Sequence, residues 1–159
     1  MKKSSLFIVC RDKFGCEYQI SKEQLQFRIS VCGILKRGNS VFLISDPTTK
    51  KLELPGGAVE KEESLEEALL REFYEETGIE IKIKRLLTYQ ESFYYMKNPD
   101  TPFHTVRLFF SVVPINSLTR IANKSFVRID KLTQDNTTEL TYLALRQLYL
   151  KRKLILKAY

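Results

Sequence analysis

The chain has 159 residues, 43% of them hydrophobic and 28% charged, and a formal net charge of +7. This length fits one globular domain with its own core, and the composition excludes a disordered, collagen-like or disulfide-rich chain. No stretch approaches the roughly 18 consecutive apolar residues of a membrane-spanning helix, so no membrane partner is expected. The three cysteines contain no C-x-x-C pair and predict neither disulfides nor a zinc site, which favours a reducing, cytoplasmic location.

Residues 1–24 are expected to form an N-terminal extension ahead of a domain that spans residues 25–159. Two apolar runs, 5–10 and 16–20, flank Phe14-Gly15 and predict a small β-hairpin in this extension. The first apolar run is too short for a signal peptide. The sequence leaves the oligomeric state open, and a homodimer paired through this hairpin is one alternative.

Downstream of the extension, most of the predicted elements are strands. β-Branched and aromatic runs at 27–36 and 40–46, joined at Arg37-Gly38-Asn39, predict a second hairpin. The other strand and helix patterns give a short strand at 52–55, long strands at 81–95 and 103–114, a short strand at 125–129 and a helix at 138–150. With no repeat or linker in between, these elements indicate one α+β domain.

A further helix is predicted with both of its ends defined. Ser64 followed by Glu67 is a capping box, which satisfies free amides at a helix start. Gly78 is a suitable left-handed residue at the helix end. One apolar stripe recurs at helical spacing, formed by Leu65, Ala68, Leu69 and Phe73.

This predicted helix lies in a strongly acidic segment. Residues 60–76 carry eight glutamates and two basic residues, a net charge of −6 that leaves +13 on the rest of the chain. Glu72, Glu75 and Glu76 share one helix face, and like charges at this spacing repel each other. Carboxylates suit Mg²⁺ or Mn²⁺, although the spacing alone equally fits a solvated acidic face. Pro55-Gly56-Gly57 favours the metal, because glycines let a backbone carbonyl approach an ion.

The residues from Gly57 to Ile79 resemble the Nudix box, G-x5-E-x7-R-E-U-x-E-E-x-G-U, in which U is a bulky apolar residue. Its fixed positions are occupied here by Gly57, Glu63, Arg71, Glu72, Glu75, Glu76 and Gly78. Phe73 stands where an aliphatic residue is commoner. The resemblance covers about residues 25–150 and implies an α+β fold, the Nudix α/β/α sandwich with a mixed central sheet.

The resemblance also implies an activity, the divalent-metal-dependent hydrolysis of a pyrophosphate bond in a nucleoside diphosphate derivative. Arg71 would orient the glutamates, and Glu75 would be either a metal ligand or the catalytic base. The groups that would bind Mg²⁺ or Mn²⁺ are Glu63, Glu72, Glu75, Glu76 and the Gly56 carbonyl. A bound metal lowers the pKa of the attacking water, and a nearby carboxylate accepts its proton.

One departure from the family pattern leaves the base open. Many members supply a further acid from a late loop, but Asn116–Lys124 holds no acid and carries Arg120 and Lys124 instead. The base is then a glutamate of the box or an acid elsewhere. The other acids under consideration are Glu91, Asp130, Asp135 and Glu139.

Four residues are candidates for substrate contact. Arg28 and Arg120 are candidates for a phosphate, although an outward strand arginine is an equally good description of Arg28. Tyr94 and Tyr95 are candidates for stacking on a base, although strand aromatics more often serve packing.

The expected substrate is a small free nucleotide, and a (deoxy)nucleoside triphosphate that gives a monophosphate and pyrophosphate is favoured. ADP-ribose, a nucleotide sugar and a dinucleoside polyphosphate are alternatives, and a nucleotide-sensing domain without activity is a further one. Nucleic acid is not an expected partner, since the sequence shows no aromatic-basic RNA motif.

Overall fold

The computed structural model describes residues 6–115 and 125–156, with side chains as far as Leu148, and these residues form a mixed sheet with helices on two faces. The N-terminal strands are β1 (Phe7–Arg11), β2 (Glu17–Ser21), β3 (Gln26–Arg37), β4 (Ser40–Phe42) and β5 (Ile44–Ser45). They are followed by β6 (Leu52–Glu53), β7 (Gly56–Ala58), α1 (Leu65–Thr77), β8 (Ile81–Lys97), β9 (Asp100–Pro114), β10 (Phe126–Arg128) and α2 (Glu139–Leu156). The main sheet has the order β10-β4-β3-β9-β8-β1-β2, and β7 adds to the edge of β3.

The sheet is mixed because β9 has a parallel neighbour and an antiparallel one. β3 pairs in parallel with β9 along ten residues, whereas β8 and β9 form a long antiparallel hairpin. This hairpin closes more tightly than the sequence predicts, since Lys97 already pairs with Asp100 and only Asn98-Pro99 lies between the strands. Both strands are therefore longer than the predicted 81–95 and 103–114.

Alternate residues of β3 face two different cores. Val31 and Leu35 pack with Phe73 of α1, and Cys32 and Ile34 pack in a second cluster that includes residues of α2. Successive strand residues point to opposite faces, so the sheet lies between the two helices. The predicted α+β sandwich with a mixed central sheet is confirmed.

The ends of α1 are those that the sequence predicts. The Ser64 hydroxyl accepts from the Glu67 amide at 3.2 Å, and the Glu67 carboxylate accepts from the Ser64 amide at 2.9 Å. Gly78 ends the helix with a φ of 68°, a conformation that glycine adopts without strain. The predicted apolar stripe is buried, with Ala68, Leu69 and Phe73 fully covered.

The helix α2 is anchored to β6 at its first turn. The Leu54 amide donates to the Thr141 hydroxyl at 3.2 Å, and the Thr138 amide donates to the Leu52 carbonyl at 2.9 Å. This helix starts one residue later than predicted and continues beyond residue 150. Among the described residues, no helix is long and apolar enough to cross a membrane.

The N-terminal hairpin is attached to the main sheet. β1 and β2 pair in antiparallel fashion, and β1 lies parallel to β8 at Arg11 and Tyr94. The buried carboxylate of Asp12 accepts from the Phe14 and Cys16 amides at 2.9 Å and forms an ion pair with Lys97 at 3.0 Å. Asp12 thus connects the hairpin turn to the end of β8.

The Asp12 network predicts a pH-dependent stability. Burial opposes ionisation of Asp12, but Lys97 and two backbone amides outweigh it and lower the pKa from 3.8 to about 2. A pKa lowered by folding stabilises the native state above about pH 4, and this stabilisation disappears as the pH falls toward 2. We therefore expect Asp12→Asn to lower the free energy of unfolding at pH 7, with a difference from the parent that shrinks below pH 4. Urea denaturation at several pH values measures it, and a difference independent of pH would contradict the assignment.

Candidate functional site

The site is built on the glycines of β7, which lies against β3. At Gly56, φ is 143° and a Cβ would lie 2.0 Å from the Val31 carbonyl oxygen. At Gly57, a Cβ would lie 2.3 Å from the carboxylate carbon of Glu72. Position 56 requires glycine because of the β3 backbone, whereas a side chain at position 57 would displace the Glu72 carboxylate that rests on the strand.

Glu76 lies one turn after Glu72 and approaches the same strand. Its carboxylate accepts from the Gly56 amide at 2.8 Å. The side chain reaches solvent, but partial loss of hydration raises its pKa to about 7, and the negative charges of Glu53, Glu72 and Glu75 act in the same direction. The cluster therefore carries more negative charge than the protein neutralises, which is the condition that a bound cation relieves.

Arg71 connects three of the glutamates. Its Nε and Nη2 donate to the two carboxylate oxygens of Glu63 at 2.7 and 2.9 Å, and Nη1 lies 2.9 Å from Glu72 and 3.3 Å from Glu75. Nη2 also donates to the Ala58 carbonyl at 3.2 Å. The hydrogen bonds with Glu63 raise the pKa of Arg71 and lower that of Glu63, so both groups stay charged. The planar guanidinium holds the loop before α1 against β7.

The predicted ligands are close to one another but do not form a closed cage. In residues 6–115 and 125–156, no three Asp, Glu, His or Cys side chains are arranged so that they could hold one metal ion together. Glu72 and Glu76 meet the β7 glycines, whereas Glu63 is held by Arg71. Hard carboxylate oxygens with excess negative charge are donors of the kind that Mg²⁺ and Mn²⁺ prefer.

The structure shows different surroundings for the acids that the sequence analysis leaves open as the catalytic base. Glu91 lies 2.6 Å from His104, and Asp130 is held by Arg128 through two hydrogen bonds. Asp135 is an exposed turn residue, and Glu139 begins α2. Glu75 has a more exposed side chain, at 58%, than the other glutamates that Arg71 contacts. Of the three glutamates that Arg71 contacts, Glu75 is thus the one whose carboxylate is most open to solvent.

Of the four substrate candidates, the structure places Arg28 and Tyr94 on the face of the sheet that carries α2, while Tyr95 points to the opposite face. Tyr95 stacks on Tyr18 with ring centroids 4.3 Å apart and hydrogen-bonds Asp100. Through the contact with Tyr18, Tyr95 packs against the N-terminal hairpin. Arg120 lies outside the described residues.

Two charged residues that the sequence analysis does not single out belong to the same region. The negative charge of Glu53 in β6 contributes to the raised pKa of Glu76. The positive charge of Arg107 in β9 opposes the rise in the pKa of Glu53 and lowers the pKa of Arg28. A lone arginine inside an apolar strand run is the signal that marks Arg107, and an acid two residues before Pro55 marks Glu53.

Comparisons with known proteins agree with this geometry. The family model for the NUDIX domain matches residues 26–149. Similar solved structures include a NUDIX hydrolase from Nitrosomonas europaea (TM-score 0.59, 22% identity, 79% of this chain and 90% of that one) and a MutT NUDIX hydrolase from Burkholderia pseudomallei (TM-score 0.56, 24% identity, 77% and 98%). At these identities the structures establish the fold alone.

A curated relative, described as ADP-ribose pyrophosphatase from Methanocaldococcus jannaschii, is 44% identical over 62 residues. The aligned segment covers 37% of this chain and 37% of that protein. The family model, in contrast, extends over most of the chain, from β3 to α2. The protein therefore belongs to the Nudix family, with its NUDIX domain at residues 26–149.

Proposed function

We propose that the protein hydrolyses a pyrophosphate bond in a nucleoside diphosphate derivative, with a divalent metal as cofactor. The observation that carries this proposal is the meeting of Glu72 and Glu76 with the β7 glycines, where the pKa of Glu76 is raised to about 7. A carboxylate cluster with uncompensated charge is costly to the fold and is suited to a cation and its phosphate ligands.

Glu72 and Glu76 would hold Mg²⁺ or Mn²⁺, and the Gly56 carbonyl, Glu63 and Glu75 are the further candidate ligands. When bound, the metal would neutralise phosphate oxygens and make water a stronger nucleophile. Glu75, exposed beside the cluster, would accept the proton of the attacking water. Arg71 would hold Glu63 and the loop before α1 in place while the glutamates bind the metal.

Within this reaction class we infer a (deoxy)nucleoside triphosphate as substrate, with a nucleoside monophosphate and pyrophosphate as products. A triphosphate tail carries more negative charge than ADP-ribose, and the chain outside residues 60–76 carries +13. A positive field of this kind concentrates compact polyanions at the protein surface.

ADP-ribose is the second candidate substrate, because the name of the Methanocaldococcus jannaschii relative is ADP-ribose pyrophosphatase. The bond broken would again be a P–O–P link. The products, AMP and ribose 5-phosphate, differ from those of a triphosphate, so the two candidates are separated by product identity.

A substrate panel with Mg²⁺ tests the proposal. Nucleoside triphosphates, ADP-ribose, nucleotide sugars and dinucleoside polyphosphates are incubated with the protein, and the products are separated by ion-exchange chromatography. We expect the highest kcat/KM for a triphosphate, with monophosphate and pyrophosphate in equal amounts. A higher kcat/KM for ADP-ribose would overturn the triphosphate, and binding of nucleotides without turnover would overturn the enzyme in favour of a sensor. The Glu76→Gln variant, prepared in parallel, detects contaminating phosphatases.

A further inference from the structure

Two arginines lie side by side on one face of the sheet. β3 and β9 are parallel, with Arg28 opposite Thr105 and Ser30 opposite Arg107. Residues two apart in a strand point to the same side, so both guanidinium groups share the face that carries α2. Each is only partly exposed.

Neither arginine forms an ion pair within the described part of the chain, and the acids that interact with them, Glu72 with Arg28 and Glu53 with Arg107, do so only at longer range. Arg107 has a buried Nε without any hydrogen-bond partner, and Arg28 lies over the Phe103 ring at 5.2 Å. Loss of hydration lowers the pKa of Arg28, and the positive charge of Arg107 lowers it further. Two like charges and an unsatisfied buried donor are unfavourable together, and a bound anion would relieve both.

The pair adjoins the carboxylate site. Arg28 lines a cleft of about 510 Å³ together with Phe103 and Glu63. The negative charge of Glu72 favours the charged form of Arg28. Tyr94, on the neighbouring strand β8, interacts electrostatically with both arginines. Arg28 and the Glu63 carboxylate therefore border one cleft, and Arg107 lies beside Arg28 on the neighbouring strand, an arrangement that suits a ligand with several phosphate oxygens.

We propose that Arg28 and Arg107 together bind a phosphoryl group of the substrate's polyphosphate chain, at oxygens that the metal does not contact. The inference rests on the proposed function for the identity of the ligand. A guanidinium group offers two parallel donors that match two phosphate oxygens, and two such groups on adjacent strands are pre-positioned by the backbone pairing. Arg107 is thereby a binding residue that sets the preference for a charged phosphate tail.

The test measures binding of inorganic tripolyphosphate by calorimetry, with EDTA present so that no metal contributes. Arg107→Met and Arg28→Met are each expected to weaken binding about 10- to 100-fold, the effect of losing charge-assisted hydrogen bonds. Arg85→Met removes the same charge from an exposed position of β8 and is expected to leave the affinity within about twofold, since solvent and salt screen it. Arg107→Lys keeps the charge without the fork and is expected to bind with intermediate affinity.

Equal affinities for Arg107→Met, Arg28→Met and Arg85→Met would overturn the inference. Melting curves show whether Arg107→Met folds. If it does not, the tripolyphosphate affinities of Arg28→Met and Arg107→Lys test the inference. The readout is independent of turnover. Weaker tripolyphosphate binding in a protein that hydrolyses no nucleotide would support the anion site while the proposed activity fails. Hydrolysis of a nucleotide by the parent, together with unchanged tripolyphosphate binding in both arginine variants, would support the proposed activity and overturn the anion site.

Discussion

Glu76→Gln is expected to abolish most of the hydrolytic activity and all of the stabilisation by Mg²⁺. Loss of a metal ligand removes several kcal/mol of transition-state stabilisation, which lowers kcat/KM by about 10³-fold. Millimolar Mg²⁺ raises the melting temperature of the parent, because a ligand that binds only the native state stabilises it by mass action. In the variant this increase should disappear.

The same substitution is expected to stabilise the metal-free protein at pH 8. The pKa of Glu76 is raised by folding from 4.5 to about 7, so the folded state binds the extra proton and stability falls as the pH rises through this range. Glutamine carries no charge and removes that decrease. Thermal melts at pH 5 and pH 8, with EDTA or Mg²⁺, separate the two effects. A parent whose melting temperature is the same with and without Mg²⁺ would contradict the metal site.

Gly57→Ala is expected to lower kcat by about 10²-fold while the fold is retained, since a displacement of about 1 Å at a reacting centre has effects of this size. The new Cβ would lie 2.3 Å from the Glu72 carboxylate carbon and 2.4 Å from both of its oxygens, so this carboxylate must move. The side chain of Glu72 is flexible, and the change therefore costs little stability.

Gly33→Ala is the matched control. Its Cβ would lie 2.6 Å from the Phe73 ring in the core, and no glutamate is among the atoms that it meets. We expect this variant to lose about 1–3 kcal/mol of stability through overpacking and to keep its kcat. Enzyme kinetics and urea denaturation on both variants give the comparison. Full activity in Gly57→Ala would show that the position of Glu72 does not matter for turnover.

Local signals in the sequence account for most of the fold. The capping box at Ser64, the left-handed Gly78 and the apolar stripe that ends at Phe73 each depend on residues within one helix, and all are confirmed. The β3–β4 turn is equally local. The length of the β8–β9 turn is not a local property, because it depends on the cross-strand pairing of Lys97 with Asp100.

The site is less accessible to sequence reasoning, because its contacts join distant segments. The helix spacing predicts that Glu72, Glu75 and Glu76 share a face, but not that Arg71 holds Glu63 through two hydrogen bonds. The proximity of Arg28 and Arg107 depends on the parallel pairing of β3 with β9, which no local pattern specifies. The metal ligands, the base and the substrate contacts stay predictions.

Hydrolysis of a nucleoside triphosphate in ¹⁸O-labelled water tests the proposed reaction most directly. Attack of water on either phosphorus of the α–β link puts one labelled oxygen into the monophosphate or the pyrophosphate, and mass spectrometry of the separated products detects it. We predict label in one of these two products and none in orthophosphate during initial turnover. Labelled orthophosphate together with a nucleoside diphosphate, as the primary products, would contradict cleavage at the α–β link and the proposed function with it.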